Sequence, residues 1–247
     1  MIKLLRYTLF LVILSACTAH YHISDTKTSH YDLKASKNDS TTVLNTLPYK
    51  QKLDLEMKQV IAYSDSALTR DGFETSLGNF VMMATEEYIN ANKKDYAGNC
   101  IIMMNRGGLR NNLPKGDITK GNIFELMPFD NEIVILKLSG EKLFEGIKTM
   151  LKEKKIISWN LAMNIRADAP EDIQVYVKPF DISKDFYVVT TDYLAMGGDN
   201  CSFFGKPISF EDTNVKLRDA IISYCETLTK NNRHIRPFRL GQIQFSK

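Results

Sequence analysis

The sequence predicts one mixed domain, α/β or α+β, on three observations. Apolar residues recur at helical spacing in three stretches, and continuous apolar runs of strand length lie between them. The two kinds of segment alternate along the chain, and no internal repeat is present. With 247 residues, 44% hydrophobic and 25% charged, the chain can bury one sizeable core.

Taken in order, the first helix lies in "ETSLGNFVMMATEEYINANKK", where Leu77, Phe80, Val81, Ala84 and Tyr88 share a face. "NCIIMMN", Asn99 to Asn105, has the unbroken apolar run of a strand covered on both faces. "EIVILKLS", Glu132 to Ser139, reads as the next strand. Ser139 is then placed to cap a helix that turns Leu143, Ile147, Met150 and Leu151 inward. Strands are expected again at "IQVYV", Ile173 to Val177, and at "DFYVVTT", Asp185 to Thr191. A last long helix presents Leu217, Ala220, Ile221, Tyr224 and Leu228, and "RLGQIQFS" closes the chain as a strand.

The N-terminus, "MIKLLRYTLFLVILSAC", places Lys3 and Arg6 before the apolar run Tyr7 to Leu14. That run is too short to span a bilayer as a helix, and its flanks are those of an export signal. Leu14-Ser15-Ala16-Cys17 resembles a bacterial lipobox, in which Cys17 becomes the lipidated first residue. The other reading is an ordinary signal peptide with an incidental cysteine; export follows on both. The expected organisation is a signal with its lipidation site over 1–17, a flexible tether over 18–45 and one domain over 46–247. The tether is too polar to fold alone. The expected location is a bacterial cell-envelope membrane, on the periplasmic or surface side, held by lipid.

Composition excludes several classes. A formal charge of +3, with basic clusters such as "KEKK" that lack interleaved stacking aromatics, argues against nucleic acid. His20, His22 and His30 lie in the tether without ligand spacing, which leaves His234 as the one histidine beyond it. There is no G-x-S-x-G, no P-loop and no H-E-x-x-H. A two-metal phosphoesterase site needs a dense set of His, Asp and Asn ligands, so neither catalytic nor metal-binding residues are expected on this chain. Cys100, Cys201 and Cys225 form no CxxC and support neither a zinc site nor a disulfide framework. One bridge among them stays open, with no pair indicated.

Three segments remain, each where a strand or helix gives way to a loop: "NRGGLR", "MPFDN" and "TTDYLAMGGDN". Together they supply an anion receptor (Asn105, the backbone N–H groups of Gly107 and Gly108, and Arg110), two aromatic faces (Phe129, Tyr193) and two hydrogen-bond formers (Asn131, Asp199). That inventory suits a planar, phosphorylated ligand such as a nucleotide.

The conjunction of Leu77-Gly78-Asn79, Asn105 to Arg110, Pro128 to Asn131 and Tyr193 to Asp199 resembles the C-terminal, substrate-binding domain of bacterial and animal 5'-nucleotidases, over residues from about 45 to 247. The resemblance implies a four-layered α/β/β/α domain. It also implies a nucleobase held between Phe129 and Tyr193, base and ribose met by Asn131 and Asp199, and phosphate by Asn105 and Arg110. The expected ligand is a nucleotide or nucleoside monophosphate.

Three departures fall on the phosphate side. Arg106 stands where the family has glycine or a small apolar residue, Phe73 where animal members have an arginine, and Met83 in place of an acidic residue. Family members place a metallophosphatase domain with two divalent ions before this one. The expectation is therefore that this chain binds nucleotides and acts with a separate metal-bearing subunit. The alternative is a surface lipoprotein that binds nucleotides or nucleosides without catalysis.

Overall fold

In a computed structural model, residues 25–31, 40–72, 74–154, 156–167, 169–236, 238 and 241–245 are described. The segment read as an export signal, with Cys17, and Phe73 lie outside them. The chain divides into two units, Met1–Asn45 and Thr46–Lys247. In the first, residues 25–31 have no regular structure and are exposed. Helix α1, Ser40–Met57, begins inside the stretch read as tether and has no buried residue.

In the second unit, β1 (Val60–Ser64) leads to α2 (Ser76–Asn92), β2 (Cys100–Asn105), β3 (Gly116–Thr119), α3 (Lys120–Leu126), β4 (Glu132–Ser139) and α4 (Gly140–Lys152). Then follow β5 (Ile156–Trp159), β6 (Leu161–Arg166), β7 (Ala169–Val175), β8 (Lys178–Pro179), β9 (Asp185–Thr191) and the one-turn α5 (Asp192–Ala195). The last elements are β10 (Ser209–Lys216), α6 (Leu217–Lys230) and β11 (Ile243–Phe245).

The centre is a five-stranded sheet in the order β10-β4-β9-β2-β5, beside a four-stranded sheet β11-β6-β7-β8 and the pair β1-β3. Alternation along the strands splits the core in two. Ile102, Met104, Ile133, Ile135 and Val189 meet α2 and α6 on one face of the central sheet. Ile101, Met103, Val134, Leu136 and Val188 meet α4 and the inner residues of β6 and β7 on the other. This is the mixed α/β architecture expected. β2 sends Ile102 and Met104 into one core and Ile101 and Met103 into the other, so both its faces are covered, which is why its sequence does not alternate. Each fully buried side chain of this kind stabilises the fold by about 1.5–3 kcal/mol.

The Ser139 cap falls where the sequence places it, and α2 has a cap of its own. Ser139 Oγ accepts the Lys142 N–H at 3.4 Å, and Thr75 Oγ1 accepts that of Gly78 at 2.9 Å to start α2. Gly78 is a close-approach glycine: a Cβ there would sit 2.8 Å from Thr75 Oγ1 and 3.0 Å from Ile157. The inward residues read for α4 and α6 are all buried. In α2 Leu77, Phe80, Val81 and Ala84 are buried, while Tyr88 packs half-buried against the same core.

One strand differs from its reading. "IQVYV" is a strand only to Val175; Tyr176 and Val177 turn with φ of 51° and 57°. The hydrogen bonds of the Tyr176 hydroxyl explain this. It meets the backbone of Cys100 and accepts from the Asn160 amide at 3.1 Å, holding the turn against β2.

Candidate functional site

The topology brings the three loop segments to one end of the central sheet. β2 and β9 are parallel, so Asn105 and Thr191 end at the same edge. β4 is antiparallel to β9, with Ile133 opposite Thr191, so Asn131 enters β4 beside the turn that carries Tyr193. Ligand sites in α/β sheets favour this position, outside the carboxyl ends of adjacent strands.

A cleft of about 270 Å³ opens there, lined by Asn105, Gly107, Gly108, Arg110, Phe129, Asn131, Tyr193 and Asp199. All eight residues singled out from the sequence thus come together. Phe129 and Tyr193, 37% and 45% exposed, are the two aromatic side chains of the lining. The Arg110 guanidinium lies over the Phe129 ring, 5.1 Å from its centroid, and the Arg110 N–H donates to Leu126 O at 2.8 Å.

Asp199 ties the segments together. One carboxylate oxygen accepts from the Tyr193 hydroxyl at 2.9 Å, the other from the Asn105 amide at 2.5 Å. The hydrogen bond to Asp199 raises the Tyr193 phenol above its usual value, because ionising it would set two anions together. Asp199 adopts φ 51°, the left-handed region that Asp tolerates, and so turns its carboxylate back toward Asn105. Asp192 Oδ1 accepts from the N–H groups of Glu132 and Tyr193, at 3.1 and 2.7 Å, and joins the start of β4 to α5.

The two arginines of "NRGGLR" part company. Arg106 donates to Gly72 O at 2.6 Å and Lys154 O at 2.7 Å, tying two outer loops together, and it is not among the cleft-lining residues. Arg70 donates to Leu109 O at 2.8 Å. Only Arg110, of the three, lines the cleft.

Sequence reading did not single out Arg218. It donates through Nη1 to Met127 O at 3.2 Å and Phe129 O at 3.3 Å, and through Nη2 to Asp130 Oδ1 at 2.5 Å. Lys216 Nζ reaches Asp130 Oδ2 at 3.1 Å. Arg218 and then Lys216 hold the Asp130 carboxyl below its usual value. The available signal was a cation on the apolar stripe of α6, where burial demands partners.

Among the described residues, no group of three or more His, Cys, Asp or Glu side chains could hold a metal ion. His234 pairs with Asp65 at 2.8 Å, and the cleft-lining residues do not include it. Cys100, Cys201 and Cys225 are buried. No helix among the described residues is long and apolar enough to cross a membrane.

Comparison with known proteins accords with this geometry. The trifunctional nucleotide phosphoesterase protein YfkN of Bacillus subtilis is 27% identical over 79% of this chain and 14% of its own length. Protein UshA of Yersinia enterocolitica is 26% identical over 72% of this chain and 32% of its own, so the chain spans a third or less of both relatives. The 5'-nucleotidase precursor of Thermus thermophilus superposes with a TM-score of 0.71, at 22% identity, over 83% of this chain and 43% of that one. The family described as 5'-nucleotidase, C-terminal domain, matches residues 56–206, and the chain belongs to that family.

Proposed function

We propose that this protein is the nucleotide-binding part of a 5'-nucleotidase and takes nucleoside monophosphates in the cleft at the end of β2, β4 and β9. The observation that carries this reading is the convergence of eight residues from three distant segments on one cleft, with two exposed aromatic rings and one arginine. The base stacks between Phe129 and Tyr193, a contact worth about 1–3 kcal/mol. Asn131 and Asp199 meet base and ribose, while Asn105, Arg110 and the N–H groups of Gly107 and Gly108 face phosphate.

Hydrolysis calls on two divalent metal ions, which do not fit the residues of this cleft. We assign them to a metallophosphatase subunit that docks on the domain. The contribution of this chain is orientation, which can lower a barrier by several kcal/mol without a catalytic group of its own. We further propose export and lipid anchoring through Cys17 to a bacterial envelope membrane, with residues 18–45 as the spacer.

The test is calorimetric titration with AMP and adenosine, beside a Phe129→Ala, Tyr193→Ala double variant. Binding that the double variant loses supports the clamp, and hydrolysis appearing on addition of a metallophosphatase subunit supports the split enzyme. A wild-type protein that binds neither ligand sinks the reading.

A second reading, nucleoside capture without catalysis, is favoured by one observation: Arg106 and Arg70 both bond backbone carbonyls, which leaves Arg110 as the arginine facing a phosphate. It predicts equal affinity for adenosine and AMP.

A further inference from the structure

The cleft's aromatic wall is held from behind. Phe129 sits on the short turn Met127–Asn131 between α3 and β4, and a turn of this kind has few internal hydrogen bonds to fix it. Here the N-terminus of α6 supplies them. The Arg218 side chain, 8% exposed, reaches the carbonyls of Met127 and Phe129 with one nitrogen and the Asp130 carboxylate with the other. Its guanidinium lies over the Phe124 ring, 4.2 Å from the centroid. The next residue back, Leu217, donates its N–H to Asn131 O at 2.9 Å. Two cleft residues, Phe129 and Asn131, are thus fixed through their own backbone carbonyls by consecutive residues of α6.

We infer that Arg218 is a positioning residue for base recognition: it acts through the Phe129 backbone to set the aromatic face against which a nucleobase stacks. The inference rests on the reading of the cleft as a nucleoside clamp. The geometry calls for arginine. A planar fork addresses two carbonyls and a carboxylate at once while its face covers a ring, whereas a lysine is a single point charge. The cation is desolvated, and a desolvated charge without partners is costly, so the turn and Arg218 hold each other in one arrangement. Stacking depends steeply on ring placement, so freeing the turn lowers base affinity without removing any group that touches the ligand.

The experiment uses Arg218→Lys, which keeps the charge, and Asp130→Asn, which removes the charge of one partner while keeping an acceptor oxygen, on a side chain that is 66% exposed. In the ligand-free protein, backbone nitrogen relaxation is expected to show 129–131 more mobile in Arg218→Lys, with β2 and β9 unchanged. Adenosine and AMP are expected to bind about 5- to 100-fold more weakly, the range of a lost stacking contact. In a Phe129→Ala background the same substitution should change affinity less than about twofold, because non-additivity marks residues that act as one unit. Asp130→Asn should show a smaller loss in the same direction and keep the wild-type melting temperature. Ribose 5-phosphate, which has no base, should bind Arg218→Lys as it binds the wild type; a merely structural lesion would weaken both ligands.

A turn as rigid in Arg218→Lys as in the wild type overturns the inference, and so do fully additive losses with Phe129→Ala. If the wild type binds neither AMP nor adenosine, the nucleotide reading falls. The relaxation contrast then decides the α6 clamp alone.

Discussion

The Tyr193 hydroxyl donates to Asp199 Oδ1 at 2.9 Å, across a turn in which a Cβ on Gly198 would fall 2.5 Å from the Tyr193 ring. Ring and carboxylate are therefore set together, one by a hydrogen bond and the other by the absence of a side chain beneath it. Asn105 holds the opposite oxygen of the same carboxylate, so the cleft is organised around Asp199.

That hydrogen bond has a pH signature. Asp199 raises the Tyr193 phenol above its reference value of 10.0, so the folded state binds the proton more tightly than the unfolded chain. Its stabilisation is complete below pH 10 and is lost as pH rises from there through the folded-state value. In Asp199→Asn the charged acceptor is gone, and the Tyr193 midpoint should fall back toward 10.0. Carbon NMR of labelled tyrosine reads it directly; an unchanged midpoint would mean that the bond does not persist in solution.

Gly198→Ala should act on binding rather than on folding. The new methyl group must displace the Tyr193 ring, which is 45% exposed and free to move outward, so the melting temperature should change little. Adenosine affinity should drop by about fivefold or more, as expected of a misplaced stacking partner. Equal affinity in wild type and variant would show that Tyr193 does not stack on the base.

The two arginines of the turn should separate cleanly. Arg110→Ala should weaken AMP while leaving adenosine within about twofold, since the proposed pose of the nucleotide sets its phosphate against this charge. Arg106→Ala should do the reverse kind of damage. It loses hydrogen bonds to Gly72 O and Lys154 O, costing about 1 kcal/mol of stability with nucleotide affinity unchanged. Denaturant midpoints and calorimetry on the pair decide this, and an AMP defect in Arg106→Ala would contradict the geometry.

The buried thiols give a test of the core. Burial pushes Cys225 up to about 12 and Cys100 up to about 11, so neither offers a thiolate at neutral pH. An aromatic disulfide reagent should leave Cys100 and Cys225 untouched in the native protein and modify both in denaturant. Fast reaction in buffer would mean that the helices over them open readily.

Much of this was legible because the signals are local. The strand Glu132–Ser139 and its Ser139 cap needed only eight residues of pattern, and the unbroken apolar run of β2 announced a strand with both faces covered. β5 and β6 escaped notice because the single residue Asn160, at φ 62°, separates them. β3 was hidden in a polar loop, since its role is to pair with β1 rather than to line the main core. Tyr176 read as strand because β-propensity sees an aromatic residue, not the Cys100 backbone that its hydroxyl reaches.

By itself the sequence determined which residues could meet a ligand: glycines, arginine, amides and aromatics carry their chemistry wherever the chain puts them. Only the tertiary structure decided how they are used. Parallel pairing of β2 with β9, and antiparallel pairing of β9 with β4, set three distant loops at one edge. The same packing turned Arg106 outward to two carbonyls and drew Arg218, 89 residues along the chain from Phe129, to the carbonyl of that residue. A side chain's type is local, but the partner that satisfies a buried charge or an open carbonyl is chosen by packing across the whole chain.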